Sequence, residues 1–465
     1  MAKNNRTKML MGEWRASSSL AGVYALRMLG MFLVLPLLAL HAASMPGAQN
    51  KEAWIGLAMG IYGLTQAILQ LPLGMASDRY GRKKVIYLGL IVFAGGSFMA
   101  AAATSLEMLV IARAIQGAGA VSAAVTALLA DLTREEVRTR AMAMIGLSIG
   151  LTFSVSLVLS PLLAKWIGVP GLFTLTGVLT ILSMLVVAFF TPNPTRSKVH
   201  EDAQAQPARM GEVLGNSELL RLNFGIFALH AAQMALFVTL PFAMVAQGLA
   251  KDQHWQVYLP ATVIGLVLMI PLIIVGETRN KLKQVFVGGI ACIAAAQLGL
   301  LFGLDSLAII TVCLVIYFIG FNVLEASLPS MVSKIAPSEL KGTAMGLYNT
   351  AQSIGLFTGG VVGGVLFQYY GFEGVFTFCS ILILVWLLIA LLAPAPKAVK
   401  NVTLAVGAVW RGRESQLLLS LEQVAGIEQT SLSRDQETIY IKALQHGFDE
   451  DATKKIISGV ENVIE

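Results

Sequence analysis

The chain has 465 residues, 56% of them hydrophobic and 13% charged, with a formal net charge of +6 and a mean hydropathy of +0.72. Soluble domains carry about a quarter charged residues, so an ordinary soluble domain is excluded and a membrane protein is expected. Apolar stretches near the ~20 residues that cross a bilayer recur along the chain, and they are continuous rather than alternating as barrel strands are, so the spans are helical.

In chain order, twelve spans are predicted, at 17–42, 53–76, 83–104, 107–130, 140–165, 171–191, 220–247, 256–276, 284–304, 306–333, 343–369 and 373–393. The first contains Arg27 and is followed by eleven more, so it reads as a span and not as a cleaved signal. On these boundaries the N-terminus and the alternate loops hold twenty Lys and Arg, while the opposite loops hold three: Lys51, Lys165 and Lys251. Basic residues stay on the cytoplasmic side, which places both termini and the central loop there. The positive charge is thus accounted for by topology, and no nucleic-acid partner is implied. Cys292, Cys313 and Cys379 all fall in apolar spans, with neither disulfide nor metal spacing.

The polar, proline-containing stretch TPNPTRSKVHEDAQAQPARMGEVLGN separates six spans from six. The division expected is a six-helix half at 1–191, a linker at 192–216, a second six-helix half at 217–396 and a tail at 397–465. The halves echo each other: RAMAM from Arg140 has a counterpart in TAMGL from Thr343, and the turn IIVGETRNKLKQV, with Glu277 and Lys281, is a worn copy of GMASDRYGRKKV. Parallel six-helix repeats with a site between them characterise one large transporter class. In the tail, NVTLAV, IEQTSLS and ETIYIKAL read as strands, the last two joined by a turn at Arg434–Asp435. RESQLLLSLEQVAG and DEDATKKIIS read as helices. The order β-α-β-β-α predicts a small ferredoxin-like α+β domain, with VENVIE as a weak candidate for a fourth strand. His446 with Asp449, Glu450 and Asp451 reads as the acidic first turn of a helix rather than a cation site.

Ionisable side chains inside a span are costly and are read first as functional. Glu325 is the carboxylate nearest the middle of any span. Arg113 lies inside the fourth span, His230 in the seventh with Gln233 nearby, and Arg27 near the cytoplasmic end of the first, where snorkelling competes with a functional reading. Phe32, Phe153, Met234, Phe237, Tyr317, Phe321 and Tyr348 are positioned to line a greasy cavity or to pack. No nucleophile–base pair or metal constellation marks an enzyme, and no P-loop marks an ATP-driven pump.

Two motifs carry a resemblance that covers essentially the whole chain. GMASDRYGRKKVI matches the G-x-x-x-D-R-x-G-R-K loop of the major facilitator superfamily, and LVIARAIQGAGA matches that superfamily's fourth-helix motif L-x-x-x-R-x-x-Q-G-x-G-A. With LRMLGMFLVLPLL and FNVLEASLPSMVSK, the chain resembles the bacterial drug:proton antiporter branch, in particular YajR-type transporters with a cytosolic ferredoxin-like tail. The resemblance implies an all-α polytopic bundle of two six-helix halves and proton-coupled efflux of amphipathic molecules from a bacterial inner membrane. The proton gradient would be the energy source, with no cofactor and no metal. Small-molecule substrate and membrane lipid are the partners expected, and a regulatory ligand or self-association is expected for the tail. A membrane sensor and an uptake symporter are the rival readings. The resemblance further implies a latch from Gly74, Asp78, Arg79, Gly81 and Arg82 with Asp131, in which Asp78 reaches the start of the eleventh span. Arg79, Lys83 and Lys84 read first as positive-inside anchors. A proton or substrate pathway is implied for Arg27, Arg113, Gln116, His230 and Glu325. The fifth span departs from the antiporter pattern: Ser156, Ser160 and Pro161 remain, but the paired glycines are Leu163 and Ala164.

Overall fold

The computed structural model describes residues 9–193, 209–279, 281–337, 340–394, 399–406, 408–410, 412–432, 438–444 and 447–458. The first half comprises α1 (Met11–Ala43), α2 (Glu52–Tyr80), α3 (Arg82–Ala101), α4 (Leu106–Ala118), α5 (Ser122–Leu132) and α6 (Glu135–Phe189). After a short α7 (Met210–Leu214), the second half comprises α8 (Ser217–Ala246), α9 (Trp255–Thr278), α10 (Leu282–Gly303), α11 (Leu307–Ile335) and α12 (Lys341–Leu392). Among the described residues ten helices are long and apolar enough to cross a membrane. Two of them are double: α6 breaks at Gly168 (φ 65°) and α12 at Gly371 (φ 59°). At about 1.5 Å per residue either one is far longer than a ~30 Å hydrocarbon core, so each contributes two arms and the crossings number twelve. Leaving the helical region at positive φ suits glycine, which has no Cβ to clash.

Two details depart from the sequence reading. The fourth span is split into α4 and α5, because Gly119 lies against the backbone of Gly89, where a Cβ would sit 2.5 Å from a carbonyl oxygen. The linker ends in structure: α7 buries Val213, and Arg209 pairs with Glu212 at 2.7 Å.

The halves repeat one plan in their contacts. The Gly89–Gly119 approach of α3 to α4 recurs as Gly289 against Gly320 in α10 and α11. Thr176 donates to the Gly30 carbonyl at 2.7 Å, and Cys379 faces the Ala232 carbonyl in the same way. Lys83 Nζ donates to the Thr191 carbonyl at 2.7 Å, just past the end of α6. Lys283 Nζ donates to the Leu391 and Ala393 carbonyls at 3.0 and 2.6 Å, at the end of α12. A lysine at a helix C-terminus satisfies carbonyls that have no intrahelical partner.

The halves meet chiefly where α2 packs on the first arm of α12. Gly56, Gly60 and Gly63 lie against Ser353, Phe357, Gly360 and Gly364 so closely that a methyl group has no room. On the same membrane face Ala53 N donates to Gln368 Oε1 at 3.1 Å and Lys165 pairs with Asp252 at 3.5 Å. The opposite face, which carries Gly81, is called the motif face below.

The tail forms an antiparallel sheet in the order β1-β3-β2, from β1 (Val399–Ala405), β2 (Ile427–Leu432) and β3 (Thr438–Leu444). β3 lies between two mutually parallel strands, the split βαβ arrangement of ferredoxin-like folds. Helices α13 (Glu414–Glu422) and α14 (Glu450–Ser458) cover it, burying Leu417, Leu421, Ile456 and Ile457 on Ile439, Ile441 and Ala443. α13 stops before the expected Gly426, which at φ 84° turns the chain into β2. The Arg434–Asp435 turn, His446 and the candidate strand VENVIE lie outside the described residues, as does the side chain of Glu277. Lys442 Nζ donates to the Ile335 carbonyl at 2.8 Å, so the sheet touches the end of α11.

Candidate functional site

The motif turn builds the cluster its charges predict. Gly81 (φ 101°) turns α2 into α3, which puts Arg82 beneath the end of α2. Arg82 Nε donates to Asp131 Oδ2 at 3.0 Å, and Nη1 donates to Ser77 Oγ at 2.8 Å and to Asp78 Oδ1. The Arg82 side chain is 3% exposed and that of Asp131 0%. Sharing one guanidinium between two carboxylates and a hydroxyl offsets the cost of burying it. Gly74 lets α2 approach Ala123 on α5. Among the described contacts, the bond of Asp78 is to Arg82, and none carries it to the start of α12. Arg79 stands outside the cluster, its guanidinium 5.6 Å from the Tyr80 ring centroid, as a topology anchor would. A second brace was not expected. Arg134 Nε and Nη2 donate to Glu13 at 2.7 and 3.0 Å, fastening the start of α1 to the turn before α6.

Arg27 does not snorkel; it is 1% exposed. Its Nη2 donates to Tyr62 Oη at 3.1 Å, and its guanidinium lies 4.9 Å from the Phe93 centroid. Arg113 lies 5.0 Å from the centroid of the same Tyr62 and donates to Gln116 Oε1 at 2.7 Å. Gln116 Nε2 in turn donates to Ser97 Oγ at 2.8 Å. Two buried cations therefore share one aromatic ring and neutral acceptors, with attraction from the ring faces standing in for a counter-ion. Tyr62 and Phe93 gave no sequence signal, since nothing in a local pattern separates them from packing aromatics.

In the second half, α8, α11 and the first arm of α12 bring together His230, Glu325 and Gln352. His230 Nε2 lies 3.3 Å from Glu325 Oε1 and 2.8 Å from Gln352 Nε2, and its Nδ1 lies 3.2 Å from the Ile226 carbonyl. A carbonyl only accepts, so Nδ1 carries a hydrogen and Nε2 is the working nitrogen. Glu325 Oε1 is enclosed and has no donor among the described groups. A proton on Nε2 or on the carboxyl oxygen itself would bridge the pair. Gln352 was not foreseen; a glutamine eleven spans into the chain announces nothing until His230 is beside it.

Phe153 of α6 crosses to the second half, with ring centroids 5.0 Å from Phe32, 5.7 Å from Phe321 and 6.1 Å from Phe318. Tyr317 stacks on Phe321, and Phe321 lies 6.0 Å from the His230 ring. Of the residues read as lining a cavity or packing, Phe237 is wholly buried beside Tyr258 and Met234 sits in the core, so these two pack. Ser156 Oγ donates to the Leu29 carbonyl at 3.3 Å, holding α6 on α1, and Ser160 is buried one turn along, before Pro161.

A bundle of two like six-helix halves, with ionisable side chains buried in each, is the architecture of a secondary transporter. Residues 20–360 and 331–423 match the Major Facilitator Superfamily, and the chain belongs to that family. It is a membrane transport protein. It is 39% identical to the inner membrane transport protein YajR of Escherichia coli over 94% of this chain and 96% of that one. It is 26% identical to the multidrug resistance protein MdtH of Aeromonas hydrophila, over 74% and 86%. Among solved structures, a bacterial homologue of the human lysosomal transporter Spinster, inward-facing and occupied, superposes with a TM-score of 0.67 at 14% identity, covering 82% of this chain and 96% of that one. The human organic anion transporter MFSD10 does so with 0.62 at 20% identity, covering 82% and 100%.

Proposed function

We propose that the chain exports small amphipathic molecules from a bacterial cytoplasm across the inner membrane in exchange for protons, by alternating access. The observation that carries this reading is the His230–Glu325 pair, a carboxylate and an imidazole 3.3 Å apart within the membrane-spanning helices. Charge there is expensive, so binding and release of a proton are tied to whatever changes the surroundings of the pair. The aromatic bridge from Phe32 through Phe153 to Phe321 lies beside it and suits flat, greasy substrates without fixing their shape. The relatives named for multidrug resistance and inner-membrane transport support the direction and the membrane. The excess of Lys and Arg on the motif face supports a cytoplasmic location for that face and for both termini. With the halves in contact on the far side through α2 and α12, the conformer is read as closed to the outside. The Arg82 cluster then acts as a rigid corner that engages the other half in the alternate state. The division into two halves, linker and tail is carried forward in the same sense, with residues 397–465 regulating transport rather than lining the path.

The test uses the full-length protein in proteoliposomes with an internal pH dye and a panel of amphipathic cations, neutral compounds and anions. Substrate-dependent proton movement opposite to substrate movement is expected. Proton and substrate moving together would establish symport, and tail-dependent partner binding with no flux would establish a sensor.

A further inference from the structure

Gln352 joins the ionisable pair to the surface on which the two halves meet. The first arm of α12 has two packed faces. Gly355 and Gly359 leave no room for a side chain against the backbone of Phe227 and Ala231 on α8, the helix of His230. Ser353, Phe357, Gly360 and Gly364 meet the glycines of α2 across the halves, and a Cβ on Gly63 would lie 2.5 Å from the Ser353 carbonyl. Gln352 directly precedes Ser353. A helix held by backbone contact on both faces has few places to settle, so a small push at residue 352 is felt at the seam.

The push follows from counting protons. With Nδ1 donating to Ile226, His230 Nε2 has one lone pair in the ring plane. In the structure the Gln352 amide nitrogen lies 2.8 Å from it and is its donor. The amide orientation is assigned from that bonding pattern. When a proton joins the pair, it rests on Nε2 or on Glu325 and donates to Nε2. Either way the lone pair is taken and the Gln352 donor is displaced. The amide must then rotate to offer its oxygen or leave. Facing Glu325 there are two further titratable side chains, Tyr317 on α11 and Tyr348 on α12, with Cys379 facing Tyr317. Phenols ordinarily ionise near pH ~10 and stay neutral through the working range.

We infer that Gln352 is the positioning residue that reports proton occupancy of the His230–Glu325 pair to the α2–α12 contact between the halves. This rests on that pair being the proton site. The test uses the full-length protein with its three cysteines replaced and spin labels in pairs at Trp166 and Tyr369, on the far face, and at Tyr80 and Leu392, on the motif face; these four side chains are exposed. Distance distributions are recorded against pH, and the Glu325 carboxyl band is followed by infrared difference spectroscopy. In the parent protein the distances should move with the carboxyl band. In Gln352→Met, which keeps the length but has no amide, the band should still titrate while the distances lose their dependence on pH. Gln352→Asn, which draws the amide back by one carbon, should recover part of it. A melting temperature close to the parent's shows that these variants are folded. Distances that track pH in Gln352→Met as they do in the parent overturn the role of Gln352. Distances that still track pH in Glu325→Gln overturn the proton site itself, and the two failures are thereby told apart.

Discussion

The first half and the second half share a scaffold down to individual contacts, yet the ionisable side chains within their spans differ. Apart from the Arg82 cluster at the motif face, the first half encloses Arg27 and Arg113 among its described residues, held over Tyr62 and Phe93 and tied to Gln116 and Ser97. The second half sets the buried His230 against Glu325, whose side chain is 34% exposed, beside Gln352. Arginine stays charged through the physiological range, so the Arg27–Arg113 site holds a constant charge. On the proposed mechanism the imidazole and carboxylate gain and lose a proton, which makes the second half the one that changes. On that proposal a duplicated fold divides into a fixed partner and a switching partner.

The largest effect should come from removing the switch. Glu325→Gln should abolish proton-driven transport, at least a tenfold loss of initial rate in inverted vesicles, while leaving substrate exchange without a gradient measurable. Undiminished, pH-dependent pumping would break the comparison by removing Glu325 from the mechanism. Next is the first half's rigid corner. Asp131→Asn leaves the buried Arg82 with one carboxylate fewer and should cost about 3–5 kcal/mol, as breaking a buried pair does. That loss is read as a clear fall in melting temperature in detergent. A smaller effect is expected from Gly60→Ala, whose Cβ would lie 2.8 Å from the Phe357 carbonyl. It should lengthen distances between labels at Trp166 and Tyr369 without lowering expression, and unchanged distances would show that the seam does not hold the far face shut. Smaller again is Arg27→Met. With no described carboxylate on that guanidinium, no counter-charge is stranded, and stability should change by no more than about 1 kcal/mol. A drop as large as that of Asp131→Asn would mean that the two arginine sites are alike. Truncation after Lys400 should do least, preserving insertion and substrate binding while altering rate, because the described contact of the tail with the bundle is at the end of α11.

Much of the scaffold is written locally. Hydrophobic runs of bilayer length give the spans, Gly81 and its charges give the corner, and period-two patterns give the strands of the tail to within a few residues. Glu325 and His230 stand out one at a time because charge in an apolar run needs a reason. Their pairing does not, since it depends on how α8 and α11 rotate against each other. Gln352 and Tyr62 were invisible for the same reason: an amide or a phenol is ordinary until a buried partner gives it a task. The break at Gly119 was hidden because glycine in a membrane helix has many causes, and only the facing carbonyl of Gly89 selects this one. The proposed reach of Asp78 to α12 concerns a different arrangement of the halves, which no local pattern encodes.

The paired lysine caps bear on how such a chain is made. Lys83 closes the end of α6 through one carbonyl and Lys283 the end of α12 through two, all within their own halves. Neither half needs the following stretch of polypeptide to finish its last helix. A break in the connection ahead of α7 would therefore spare both caps and the buried Val213. Two separately translated pieces, split within the central linker, should find each other in the membrane and restore transport, as co-purification of differently tagged halves would reveal.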